Sequence, residues 1–466
     1  MALIDPQRIH ERTPASRNRY ADMLRVTAIL GVVFGHWMVR VVIVDDGELT
    51  HDYLLAVVPK TQWFTWLFQV MPVFFFVGGY ANLRGWRSAA ERGEDAVTWV
   101  RIRARRLFRP LVPLLCVWIP LSAVLEQLGV SDDVLVFGAE DAIVPAWFLA
   151  AYLLVTAMTP ITSRWHERWG AKPVLVLTVA AVAVDALRFT LPGPLADTPL
   201  VDGQPAFAAI NYLFVWLAIH QFGYLWLDER LPRHPSSAAV LCAAGYGILL
   251  IMVLALPYAV SMVGVPGADS NNHQPPTVAL VALGAGQVGL ALLLRPVLEP
   301  FLHRPRWWAP VVMVGSQIMT IFLWHQTAMM AVSTAVYPTG LWPVISGVDA
   351  TWWATRPVWL LLLTIALVIL VMAFGRFETA PPGQASHLPE PAARIKAAAG
   401  VILTVAGLGL LIVGGLTDPE GWFHLPVLPL GALVAGLLAL GVIGSRWAAR
   451  LTERVHERLE IGSRGQ

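Results

Sequence analysis

Residues 23–44 read MLRVTAILGVVFGHWMVRVVIV, an apolar run broken only by Arg25, His36 and Arg40. A helix rises about 1.5 Å per residue, so about 20 apolar residues cross a ~30 Å hydrocarbon layer. The run therefore predicts a membrane span. Eleven more such runs follow, at 63–83, 108–126, 145–161, 173–190, 207–227, 238–258, 277–294, 310–333, 357–375, 397–416 and 427–445. They are too long and too evenly apolar for barrel strands. In lipid every backbone polar group must be paired within the protein, which leaves helices. The fold class expected is all-α, a polytopic transmembrane helical bundle.

Composition agrees. The chain has 466 residues, 56% of them hydrophobic and 14% charged, against about 25% charged in soluble domains. Basic residues collect in cytoplasmic loops. With the N-terminus inside, 29 of the 33 Lys and Arg fall on the inner side, and only Arg40, Lys60, Arg188 and Arg356 fall outside. A wrong span count would destroy that phase, so both termini are expected in the cytoplasm, with the cell (plasma) membrane as the location. The first 21 residues are polar and the first run lacks a small-residue cleavage site, so an uncleaved first span is expected. The loops carrying Asp45, Asp46, Glu48 and Asp52, and then Asp132, Asp133, Glu140 and Asp141, read as solvated outer surface. Cys116 and Cys242 lie in apolar runs and form no metal or disulfide pattern.

The segment 376–396 holds Pro381, Pro382, Pro389 and Pro391 and reads as a flexible inner linker. It divides the chain into a cytoplasmic tail at 1–18, a ten-span core at 19–375, a two-span C-terminal extension at 397–445, and a basic cytoplasmic tail at 446–466.

Ionisable groups within a span are costly and point to function. Arg25 and His36 are eleven residues apart, about three turns plus 20°, so they share a helix face. The axial distance between them is about 16 Å. Arg25 is expected at the inner mouth and His36 near the membrane middle. Asp22, one turn from Arg25, can fix its rotamer by an ion pair. Arg101, Arg103, Arg105, Arg106 and Arg109 form a basic run before Pro110. Within it Arg103, Arg106 and Arg109 recur every third residue on one face, and guanidinium forks suit phosphates. His220 and His325 are buried in later spans. Ser316 and His325 are nine residues apart, on opposite sides of an unbroken helix, so no simple dyad is expected. Gly78 and Gly79 permit close helix approach. No ligand-pair spacing suggests a metal, and no folded aqueous domain presents the basic run to nucleic acid.

Taken in order, these elements resemble the acyltransferase 3 family. Arg19-Tyr-Ala-Asp22-Met-Leu-Arg25, then ten residues and His36, is similar to its opening Arg-x10-His motif. Phe74-Phe-Phe-Val-Gly-Gly-Tyr80 resembles its aromatic second span, and Arg106-Leu-Phe-Arg109 its Arg-x-x-Arg motif. Trp147-Phe148-Leu149 and Ser316 through Trp324-His325 resemble later elements. The resemblance implies transfer of an acetyl or other short acyl group from acyl-CoA. The acceptor would be a hydroxyl of a carbohydrate, cell-envelope or small-molecule compound. Acetyl-CoA or another acyl-CoA is the cosubstrate, and no permanently bound cofactor is implied. It further implies that His36 and Arg25 are catalytic and that Arg103, Arg106 and Arg109 bind the CoA phosphates. His325, Trp147 and Ser316 would position substrate, with Asp22 in support. The partners expected are acyl-CoA, a hydroxyl acceptor and membrane lipid, without nucleic acid. A transporter or flippase for an anionic or lipid-linked substrate is the alternative, and an inactive relative serving in assembly is a third reading. The two spans at 397–445 lie outside the resemblance.

Overall fold

The computed structural model describes residues 5–45, 48–129, 141–190, 199–201, 204–268, 270–340, 342–343, 347–379, 390–418 and 421–444. The Pro-rich stretch 380–389, the basic tail from 445, and Asp46, Asp132, Asp133 and Glu140 lie outside them. Contacts divide the chain into two compact units. The first comprises Met1–Trp86 and Met158–Val371, the second Arg87–Ala157 and Met372–Gln466.

In the first unit, α1 (Arg19–Val39) opens on Asn18, whose side chain caps the Ala21 N–H. It is followed by β1 (Arg40–Asp45) and β2 (Glu48–Tyr53), paired antiparallel with Arg40 opposite Tyr53. Then come α2 (Met71–Glu91), α6 (Thr159–Trp169), α7 (Lys172–Thr190), α8 (Asn211–Leu227), α9 (Pro235–Ala255), α10 (Ala279–Leu302), α11 (Pro305–Gly315), α12 (Ile318–Val336) and α13 (Ala350–Phe374). The second unit holds α3 (Ala96–Phe108), α4 (Leu111–Gln127), α5 (Trp147–Ala157), α14 (Glu390–Gly414) and α15 (Val427–Ala439).

Among the described residues, eight helices are long and apolar enough to cross a membrane, or up to eleven if each of three broken pairs counts as one span. The thirteen-residue α15 is a shorter apolar helix at the twelfth predicted position. Many exposed side chains on these helices are apolar, among them Val240, Ile251 and Leu254 on α9 and Leu361 and Met372 on α13. Such a surface suits hydrocarbon and would be unusual in water. The protein is an integral, multi-pass, helical membrane protein.

Several local expectations need correction. The first span ends at Val39, because the β-branched run Val41-Val-Ile-Val44 that follows Arg40 forms a strand. His36 therefore sits in the last turn of α1, away from the middle of the span. Three predicted spans are broken. α3 and α4 meet at 49° around Pro110, which cannot supply a helix N–H. α11 and α12 meet at 68° across Ser316 and Gln317, and α5 and α6 part at Met158. Arg188 and Arg356, expected on the outer side, lie near the ends of α7 and α13 and are buried. Asp141, assigned to solvated surface, is buried. Cys116, which the sequence places in an apolar run, is exposed on α4.

Helix pairs in the first unit touch backbone to backbone. A methyl group on Gly79 would collide with the His220 carbonyl, and one on Gly223 with the Phe76 carbonyl. Small residues at such crossings let helices meet in lipid. The aromatic stretch of α2 then stacks on α8, with Phe75 on Trp216 at 4.4 Å and Phe76 on Trp226 at 4.9 Å.

Candidate functional site

The site starts on α1. Tyr20 donates to the Ala291 carbonyl at 2.5 Å, and the Trp37 indole donates to the His325 carbonyl at 3.0 Å. These bonds tie the two ends of α1 to α10 and α12. The His36 ring then stacks on the His325 ring, with centroids 5.0 Å apart, and His36 Nδ1 lies 2.8 Å from His325 Nε2.

The tautomers follow from the partners. His325 Nδ1 is 2.5 Å from the Phe322 carbonyl, which can only accept, so Nδ1 carries hydrogen. In the neutral ring His325 Nε2 is then an acceptor, and His36 Nδ1 must donate to it. The basic lone pair of His36 is left on Nε2. His325 is 0% exposed while His36 is only half-buried. His36 is thus the imidazole within reach of a substrate, and His325 holds it. A neutral imidazole with one fixed basic nitrogen can accept a proton from a hydroxyl.

At the other end of α1 the expected ion pair forms. Asp22 Oδ1 lies 3.3 Å from Arg25 Nη2, and Asp22 Oδ2 accepts from Arg17 Nε at 2.6 Å. The Arg25 guanidinium lies against the α11–α12 break, where a methyl on Gly315 would stand 3.7 Å from Nη2. Among the described residues, buried Arg25 Nε and Gln317 Oε1 find no hydrogen-bond partner. Ser316, at the same break, is exposed and its hydroxyl donates to the Met313 carbonyl at 2.7 Å. Because the helix is broken there, the single-helix angle between Ser316 and His325 does not apply. His220 is fully buried away from this pair and accepts from Asn82 Nδ2 at 3.2 Å.

Sequence reasoning missed a third imidazole. Gln69 sits between Phe68, whose ring lies 5.7 Å from that of Phe34, and Val70, which packs at Gly31. This places Gln69 beside α1 at a non-helical residue before α2. Its amide nitrogen donates to the Met262 carbonyl at 3.0 Å and lies 3.3 Å from His273 Nδ1. The connection that carries His273 is pinned by side chains of α7 and α8. Buried Asp185 accepts from Asn211 Nδ2 and the Val278 N–H, each at 2.8 Å, and from the Tyr258 hydroxyl at 3.2 Å. Arg188 donates to the Asn271 carbonyl at 3.0 Å. Burial, and then the nearby His36, push His273 down to about 4, so it is a neutral ring at ordinary pH. The signal was present in the sequence as Gln69 inside an apolar run and the Asp185/Arg188 pair inside a span. Among the described residues no group of three or more His, Cys, Asp or Glu is arranged to hold a metal.

A family model described as an acyltransferase domain matches residues 18–376, from the start of α1 to the end of α13. The chain belongs to the acyltransferase 3 family. It is a membrane acyltransferase. No curated protein and no solved structure matches it.

The remaining candidates of this acyltransferase lie in the second unit. On α3, Arg101 and Arg105 are buried and donate to the Ala439 and Gly441 carbonyls at 2.9 and 2.8 Å, so they are structural groups of the basic run. Arg103 and Arg109 are half-buried and Arg106 is exposed, and the Arg103 guanidinium lies over the Trp99 ring. Trp147 opens α5, half-buried and edge-on to Phe148.

Proposed function

We propose that this acyltransferase moves an acetyl or other short acyl group from acyl-CoA to a hydroxyl of a carbohydrate, cell-envelope or small-molecule acceptor, with His36 as general base. The observation that carries the reading is the fixed His36 tautomer, held by His325 through Phe322. The acceptor hydroxyl gives its proton to His36 Nε2 as its oxygen attacks the thioester carbonyl. The tetrahedral intermediate collapses, the C–S bond breaks, and the CoA thiolate takes the proton back. An ester and free CoA leave, and His36 returns to its starting state. The thioester brings its own good leaving group, so holding the reactants in line supplies much of the acceleration.

Arg25, fixed by Asp22, offers a cation on the same face of α1, and Ser316 a hydroxyl at the adjoining break. For the donor phosphates we retain the Arg103, Arg106 and Arg109 face of α3, and for the substrate Trp147. Both termini are placed in the cytoplasm of a cell membrane.

The test uses isolated membranes supplied with acetyl-CoA and reads free CoA thiol. Wild-type protein releases CoA, and His36→Ala lowers release by about 10²- to 10⁴-fold, the usual contribution of a general base. Unchanged release in the variant removes His36 from the mechanism. Absence of both release and acyl-CoA binding in the wild type favours transport.

A further inference from the structure

His36 has unequal neighbours on α1. On one side the Trp37 indole is buried and bonded to the His325 carbonyl. On the other side stands Gly35. Apart from its chain neighbours and the local helix backbone, a methyl group on Gly35 would meet no atom of the described residues within 4 Å. Glycine within a helix is destabilising relative to alanine, and is usually explained by a left-handed backbone or by a neighbour too close for a methyl. Gly35 shows neither. Gly31, one turn away on the same face, shows the ordinary case, because a methyl there would stand 3.3 Å from Val70 Cγ2.

The open space at Gly35 is a notch between two packed contacts. Toward Arg25 it is stopped by Val70, which fills the corresponding place at Gly31. Toward the hairpin it is stopped by Met38, three residues on and so on the same face, which packs against the buried cluster of Val41, Leu54 and Trp352. Val32, three residues the other way, is buried. The side chains that bound the notch along α1 are therefore apolar. Gly31 and Met38 are seven residues apart, about 10 Å along the helix. Carbon atoms touch at about 3.5–4.0 Å, so the bounding side chains leave only a short slot between them.

We propose that the notch at Gly35 receives the alkyl end of the donor's acyl group, and that Val70 and Met38 limit the length of chain it takes. The inference rests on the acyl-transfer reading above and names the acyl class for that same site, a short saturated chain. The acceptor oxygen that gives its proton to His36 Nε2 also bonds to the thioester carbonyl carbon, so that carbon reacts close to the ring. The alkyl group leaves the same carbon on the next bond and needs an apolar space beside the imidazole. A polyhydroxylated acceptor in the notch would hold its hydroxyls unpaired against Val32, Val70 and Met38, which is costly. A hydrocarbon tail gains by leaving water there. Gly35 is thus a specificity residue: the absence of its side chain makes the room.

The test compares donors within one preparation. Isolated membranes receive acetyl-CoA, butyryl-CoA or octanoyl-CoA, and free CoA thiol is read, with His36→Ala membranes as the blank. The ratio of kcat/KM between two donors in the same membranes cancels the folded fraction. Wild type should use butyryl-CoA within about tenfold of acetyl-CoA, and octanoyl-CoA at least about a hundredfold less well. Gly35→Val fills the notch and should lower the butyryl-to-acetyl ratio by about tenfold or more, the range for one misfitted carbon in an apolar pocket. Gly35→Ala, a milder change in a helix, should move the ratio the same way by a smaller factor. Val70→Ala removes one stop and should raise the octanoyl-to-acetyl ratio by about tenfold, a gain that damage to the fold does not produce. The proposal is overturned if Gly35→Val leaves the butyryl-to-acetyl ratio unchanged. Turnover kept with both donors would mean that the space faces lipid, and turnover lost equally with both would give it to the acceptor. Wild-type use of octanoyl-CoA equal to butyryl-CoA also overturns it. If wild-type membranes release no CoA from any donor, the acyl-transfer reading fails first. Release that depends on His36, with ratios that no variant moves, fails this inference alone.

Discussion

A single hydrogen bond decides how His36 can act. His325 can accept from His36 Nδ1 only because its own Nδ1 proton is committed to the Phe322 carbonyl. Replacing His325 by Phe keeps the stacked ring and removes the acceptor, so His36 is free to take the other tautomer and to rotate. Turnover should fall about 10- to 100-fold, as when the group that orients a reacting imidazole is lost. The change should appear in kcat measured by CoA release, with KM for acetyl-CoA near wild type. A His325→Phe protein with full kcat would show that the ring pair does not orient the base. At this scale His36, Arg25 and Asp22 were legible because they lie on one helix and helical periodicity ties spacing to direction. His325 was legible as a buried histidine, but its partner was not, since 289 residues separate it from His36. Gln69 was visible as a polar residue in an apolar run, but its meeting with His273, 204 residues away, was illegible for the same reason. They meet through a connection whose path is set by Asp185, Arg188 and two asparagines, and no local period encodes it.

Elements, more than individual residues, hold those groups in place. α2 and α8 cross at Gly79 and Gly223, where each helix touches the other's backbone. A Gly223→Ala methyl has nowhere to go except into the Phe76 carbonyl, so the helices must separate and the Phe75–Trp216 and Phe76–Trp226 stacks must loosen. Overpacking of this kind costs about 1–3 kcal/mol. The thermal midpoint of the solubilised protein should fall by several degrees, and Gly223→Val should fall further. A Gly223→Ala protein as stable as wild type would mean that the crossing is looser than it stands here. The sequence pointed to this contact, because adjacent glycines in an apolar run have few other uses. It did not point to the ends of the elements. Val41–Val44 is as apolar as the helix before it, and hydropathy does not separate a strand from a span, whereas β-branching does. The breaks were partly visible. Pro110 marks the first, but the one at Ser316-Gln317 carries no proline and arises where Gln317 leaves helical backbone at φ −123°, ψ 20°.

For the whole molecule, chain order and spatial grouping part company. The family match ends at residue 376, and composition divides the chain at the following prolines, which makes the last two helices look like an appendage. In space α14 and α15 form one compact unit with α3, α4 and α5. The reason lies in the basic run. Arg101 and Arg105 are four apart, so they leave α3 on one face, and both donate to carbonyls just past or at the end of α15. Helix C-terminal carbonyls lack intrahelical donors and attract cations, so these two guanidinium groups close the end of α15. The double variant Arg101→Ala/Arg105→Ala removes both donors and leaves buried carbonyls unpaired, at about 1.5–3 kcal/mol for each bond to a charged group. Its thermal midpoint should drop clearly, while Arg106→Ala, on the exposed face of the same helix, should leave stability within about 0.5 kcal/mol of wild type, as surface changes do. Equal stability of the double variant and the wild type would show that α15 is held by its packing on α14 alone. The five arginines therefore divide by face into a structural pair and an outward set, a division that charge counting alone does not reveal.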